Sequence, residues 1–171
     1  MNQGNRPSFR EVADRAATLR DRLATLGGAD VEIVAVTKGF GPWALRAASE
    51  CGFRMVGESY AQELTSKWRQ LRDDEQRCLD VHFIGGMQTN KVRKISDIVN
   101  VWQSLDRQSL VNEIVKRAPG SQVMIQINLT GSGTQSGCDI SEAEAIISDA
   151  RVKGLEAVSN THLTLPTILL V

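Results

Sequence analysis

Apolar positions follow two alternating rhythms along the chain. Val12, Ala16, Leu19 and Leu23 recur at helical spacing behind Ser8 and Glu11, which read as a capping box, and Gly27-Gly28 ends the helix. The next apolar stretch, VEIVAVT over 31–37, is β-branched and of strand length. Pro42 then opens a helix carrying Trp43, Leu45 and Ala48, with Gly52 closing it. The unit repeats, with predicted strands over 53–57, 81–84, 99–103, 122–129 and from 155. Helices are predicted between them over 60–71 with a charged outer face, 90–98, 108–118, and from a second capping box at Ser141 and Glu144 to about Val152.

Strands alternating with helices of this length indicate βαβ units and a parallel sheet. A doubly wound sheet and a (βα)8 barrel both fit the rhythm. No GxGxxG follows a strand and no GxxxxGK[ST] occurs, which lowers the weight of nucleotide-binding open sheets. A barrel needs eight strands and about 250 residues. These 171 residues supply five complete βα units and part of a sixth, so a barrel here is incomplete.

Composition narrows the functional classes. Twenty Lys+Arg balance twenty Asp+Glu, which leaves no net field to recruit nucleic acid or an anionic membrane. No run approaches the roughly 18 apolar residues of a membrane span, and the first residues do not resemble a signal peptide. Cys51, Cys78 and Cys138 fall in neither disulfide-framework nor metal-ligand spacing, and with two histidines no metal site is expected. The expectation is a soluble cytoplasmic protein. Charge is unevenly placed: all forty charged residues lie at or before Glu156, and the last fifteen positions carry none.

Candidate chemistry collects at the C-terminal ends of the predicted strands, where barrels carry their active sites. Lys38 follows VEIVAVT directly. In a partly apolar mouth its neutral amine would be favoured, and such an amine attacks an aldehyde to form a Schiff base. The plainer reading is a solvated lysine whose stem covers apolar surface. GESYAQE over 57–63, HFIGGMQTNK over 82–91 and SLD over 104–106 close the next three strands. Glu58, Ser59, Asn90 and Lys91 offer hydrogen bonds there, against a plainer reading of Glu58 and Lys91 as surface charges and Ser59 as a cap. His82 reads as a satisfied core histidine, and Lys91, Arg93, Lys94, Arg69 and Arg72 as solvated faces rather than an RNA patch.

Taken in order, VAVTK, GESYAQE, HFIGGMQTNKVRKI, QSLD and INLTGSGTQSG closely resemble the pyridoxal phosphate homeostasis protein family over residues 8–157. The resemblance implies an α/β fold, a parallel (βα)8 TIM barrel of the alanine racemase N-terminal type, here with about six strands. It implies pyridoxal 5′-phosphate held as a Schiff base on Lys38, a non-catalytic role in intracellular cofactor homeostasis, and PLP-dependent apoenzymes as possible recipients. Ser59, Gly85 and Asn128, near the strand mouths, are the further cofactor-pocket candidates. A racemase or decarboxylase on the same barrel and a cofactor-free scaffold are the alternatives.

The chain departs from that family pattern in several places. Ser59 stands where the family has asparagine, Gln135 where it commonly has lysine, and Gly86 where it has a longer polar residue. The family's Ser/Gly-rich phosphate motif and the arginine near the pyridine nitrogen are not reached. Residues 1–157 are therefore expected to form a partial barrel and 158–171 an atypical, non-native tail, in a C-terminally truncated chain that binds the cofactor poorly.

Overall fold

A computed structural model describes residues 7–129 and 136–157. The chain runs α1 (Phe9–Thr25), β1 (Val34–Val36), α2 (Trp43–Glu50), β2 (Met55–Glu58), α3 (Ala61–Trp68), α4 (Asp73–Arg77), β3 (Asp80–Phe83), α5 (Thr89–Val92), β4 (Val101–Leu105), α6 (Gln108–Arg117), β5 (Gln122–Ile125), α7 (Ile140–Val152) and β6 (Glu156–Ala157). All strand pairs are parallel, and the sheet order is β1-β2-β3-β4-β5-β6. A doubly wound sheet reverses its order at a switch point, whereas this one never does. Each crossover advances by one strand in the same direction, as in a barrel wall. Among the described residues β1 and β6 are its two edges.

The two faces of the wall differ. Val56, Val81, Phe83, Trp102, Leu105 and Val123 pack with Leu45, Leu64, Leu110 and Ile114 of the helices in one buried core. Each such side chain contributes about 1.5–3 kcal/mol. The opposite face is marked by Gly57, where an added Cβ would meet Ile84 at 3.1 Å, Val34 at 3.3 Å and Val36 at 3.4 Å. Val34 and Val36 are only half-buried there.

The Ser8 capping box forms as its spacing predicts: Ser8 N–H donates to Glu11 Oε2 at 2.7 Å and Glu11 N–H to Ser8 Oγ at 3.3 Å. The second box does not sit at Ser141 and Glu144. Asp139 is the cap and Glu142 its partner, and Ser141 instead donates both its N–H and its hydroxyl to Asp139 Oδ1. Asp139, two residues earlier, is itself a preferred N-cap residue, and its carboxylate accepts the Ser141 N–H at 2.9 Å.

Other boundaries shift as well. The segment expected to be a helix over 90–98 has only one helical turn, Thr89–Val92. The helix predicted over 60–71 stops at Trp68, and a separate short helix follows at Asp73–Arg77. β5 ends at Ile125, paired with Leu105 after a register shift against β4 between Trp102 and Leu105, and Ile127 makes only an isolated bridge to Cys138. Gln135 and the tail over 158–171 lie outside the described residues.

Candidate functional site

Lys38 sits in a turn at the C-terminal end of β1. Thr37 N–H continues the ladder by donating to Gly57 O at 3.0 Å, and Phe40 N–H closes the turn onto Thr37 O at 3.3 Å. Gly39 occupies the third position of this turn with φ +80°, the conformation that a type II turn requires and glycine supplies without steric cost. Lys38 is half-buried, and among the described residues its ammonium has no hydrogen-bond or ion-pair partner.

The turn rests on a buried polar cluster. Glu58, the last residue of β2, is 0% exposed, Thr37 is 4% and Lys67 of α3 is 2%, values that make these groups interior ones. Thr37 Oγ1 and Lys67 Nζ both donate to Glu58 Oε1, each at 2.7 Å. Lys67 Nζ also donates to Thr37 O at 2.8 Å and pairs with Glu63 one helical turn back. The three N–H donors of the ammonium thus have three acceptors. Glu63 Oε1 in turn accepts Gly39 N–H at 2.7 Å. Burial pushes the Glu58 carboxyl above its usual range, and the Lys67 and Thr37 hydrogen bonds offset part of that rise.

Two other predicted residues meet directly. Gly85, after β3, lies so close to Ser59 that a Cβ would sit 2.4 Å from Ser59 O and 2.7 Å from Ser59 Cα. Only a residue without a side chain allows this approach. Ile84 N–H donates to Glu58 O at 2.8 Å, holding the two strand ends in step, and Ser104 at the end of β4 donates to Gly85 O. A Cβ on Gly86 would meet Ser136 Oγ at 3.4 Å, and Gln126 Nε2 donates to Ser136 O at 3.2 Å. Asn128 N–H donates to Cys138 O at 2.9 Å, and Gln126 N–H to Leu105 O at 2.8 Å. The rim is therefore linked from Ser59 through Gly85 and Ser104 to the β5 end that carries Asn128.

His82 is buried and lies 2.7 Å from Gln103 through Nδ1, the satisfied interior histidine its apolar context implies. Burial lowers its pKa. Glu58 departs from its surface-charge reading. The buried Glu58–Lys67 pair was not legible as a site. A usable signal existed, since Lys67 shares a helical stripe with Leu64 and Leu71, which places a charge on the face turned to the core. A cavity of about 310 Å³ beside the β1 edge, lined by Val12, Arg15, Val36, Phe40, Trp43 and Phe53, touches Thr37 but none of Lys38, Ser59, Gly85 or Asn128.

No family model matches the chain. The pyridoxal phosphate homeostasis protein of Pseudomonas aeruginosa is 31% identical over 159 residues, covering 86% of this chain and 68% of its relative. The Escherichia coli K12 protein of the same name is 29% identical over 164 residues, with 86% and 70% covered, and that of Aquifex aeolicus 35% over 112 residues, 48% of its length. Among solved structures, PipY of Synechococcus elongatus without PLP superposes with a TM-score of 0.73 at 24% identity, covering 91% of this chain and 73% of PipY. The PLP-bound form of PipY gives 0.69. Alanine racemase from Corynebacterium glutamicum gives 0.64 at 15% identity, with 88% and 44% covered. These superpositions establish the barrel-type fold.

Proposed function

Given that the chain belongs to the pyridoxal phosphate homeostasis protein family, we propose that it binds pyridoxal 5′-phosphate covalently through Lys38. The observation that carries this reading is a half-buried lysine at a strand mouth whose amine has no partner among the described residues. Among the described residues no acid is salt-bridged to the amine, and Ser59 and Gly85 meet at the two neighbouring strand mouths, which supports a rim able to take the aldehyde end of the cofactor. When bound, the cofactor would supply an electrophilic aldehyde carbon, and Lys38 would be the residue that holds it, through the nucleophilicity of its neutral amine.

Ser59, Gly85 and Asn128 then form the pocket wall, with Gly85 admitting close backbone approach and Ser59 and Asn128 donating hydrogen bonds. The role is that of a cytoplasmic cofactor carrier for PLP-dependent apoenzymes rather than a catalyst. The names of the relatives support homeostasis, and among the described residues no helix is long and apolar enough to cross a membrane.

Borohydride trapping with peptide mapping tests the reading. Incubation with pyridoxal 5′-phosphate and reduction should place the adduct on Lys38, and Lys38→Ala should abolish it. Label spread evenly over exposed lysines such as Lys94 and Lys116, unchanged in Lys38→Ala, would overturn it. Turnover of L-alanine to the racemate, lost in Lys38→Ala, would replace the carrier with an enzyme.

A further inference from the structure

We propose that Glu63 and Lys67 of α3 are positioning residues for Lys38, acting through its backbone. The inference rests on Lys38 being the condensing amine. Two peptide groups flank that residue. The carbonyl of the first, Thr37 O, accepts Lys67 Nζ at 2.8 Å, and the N–H of the second, Gly39 N, donates to Glu63 Oε1 at 2.7 Å. Glu58 fixes the preceding side chain through Thr37 Oγ1 at 2.7 Å. The lysine is therefore clamped before and after its Cα while its own side chain stays unclaimed among the described residues.

Lys67, with Glu58 beneath it, is an interior group. All three donors of Lys67 are used, two on carboxylates and one on the turn, and the residue is 2% exposed. A buried ion pair is weak evidence for stability, since apolar replacements often do as well. A more specific role follows from where the bonds go. Glu63 and Lys67 satisfy the turn itself, which no ladder partner reaches beyond the Thr37 amide. Without these anchors the Thr37–Phe40 turn is held by one 3.3 Å hydrogen bond. A turn that samples several conformations presents the amine at the rim only part of the time, and the apparent affinity falls by that fraction.

Glu63 is the position to change, because its side chain is 28% exposed and its loss buries no new charge of its own. In the full chain, Glu63→Ala should speed exchange of the Gly39 amide about tenfold and weaken formation of the Lys38 adduct about tenfold. Glu63→Gln keeps an acceptor oxygen and should restore both to within about threefold of wild type. Urea midpoints taken in parallel separate the effect from global unfolding. Unchanged exchange and adduct formation in Glu63→Ala would sink the proposal, as would an equal loss in Glu63→Gln, which points to charge rather than position. A Gly39 amide that exchanges in wild type at the rate of an unprotected one would also overturn it, whichever variants fold. If wild type forms no adduct at Lys38, the cofactor reading fails while the exchange measurement still decides the clamp.

Discussion

Lys67→Met tests the energetics of the buried cluster. Methionine keeps an unbranched chain of similar length but removes the ammonium. Glu58, 0% exposed, then keeps Thr37 Oγ1 on one oxygen, while its Oε2 already has no partner among the described residues. Removing one member of a buried pair costs about 3–5 kcal/mol. Burial already lifts the Glu58 pKa above its ordinary 4.5, and the substitution deletes the two Lys67 influences that pull it back. The folded variant therefore binds a proton more readily than its unfolded chain. Wherever the native state holds more protons, stability falls as pH rises, by up to about 1.4 kcal/mol per pH unit for one proton. The deficit of Lys67→Met should be largest near neutrality and shrink as pH is lowered toward 4.5. Urea unfolding of wild type, Lys67→Met and Lys67→Met/Glu58→Gln across that range reads it directly. The double variant should recover at least half of the neutral-pH loss and lose the pH dependence. A deficit of constant size at every pH, or one indifferent to Glu58→Gln, would refute the assignment of the cost to a stranded carboxylate.

Other perturbations follow from the same geometry. Gly85→Ala drives a Cβ to 2.4 Å from the Ser59 carbonyl oxygen, so the β2 and β3 mouths must part, and a loss of about 1–3 kcal/mol should appear in the urea midpoint. Burial holds the His82 pKa below its ordinary 6.5, so wild-type stability contributed by neutral His82 should be lost as pH falls from 6.5. Because Glu58 acts in the opposite sense over part of that window, the measurement is the difference in acid sensitivity between wild type and His82→Gln. Trp102→Phe removes an indole N–H that has no partner among the described residues, which offsets the smaller ring's lost packing, and should cost under about 1.5 kcal/mol. Trp102→Ala, with no such offset to its cavity, should cost about 3–5 kcal/mol in the same thermal or urea measurement.

Local pattern was enough for the repeating unit and for the ends that matter chemically. β-branched runs, the Ser8 capping box and glycine stops are read within a few residues, and they placed Lys38 after the first strand and Gly85 after the third. Strand order was not local information. The periodicity of 31–157 fits an open doubly wound sheet as well as a barrel wall, and only the pairing β1-β2-β3-β4-β5-β6 separates them. The polar cluster was hidden for a related reason. Glu58 and Lys67 read from sequence as solvated charges, and what makes them interior is Thr37, more than twenty residues away in sequence, closing over them. Hydrophobic spacing records which way a side chain leaves its own strand or helix. It does not record which distant backbone atoms arrive opposite, and for Lys38 those atoms decide how firmly its turn is held.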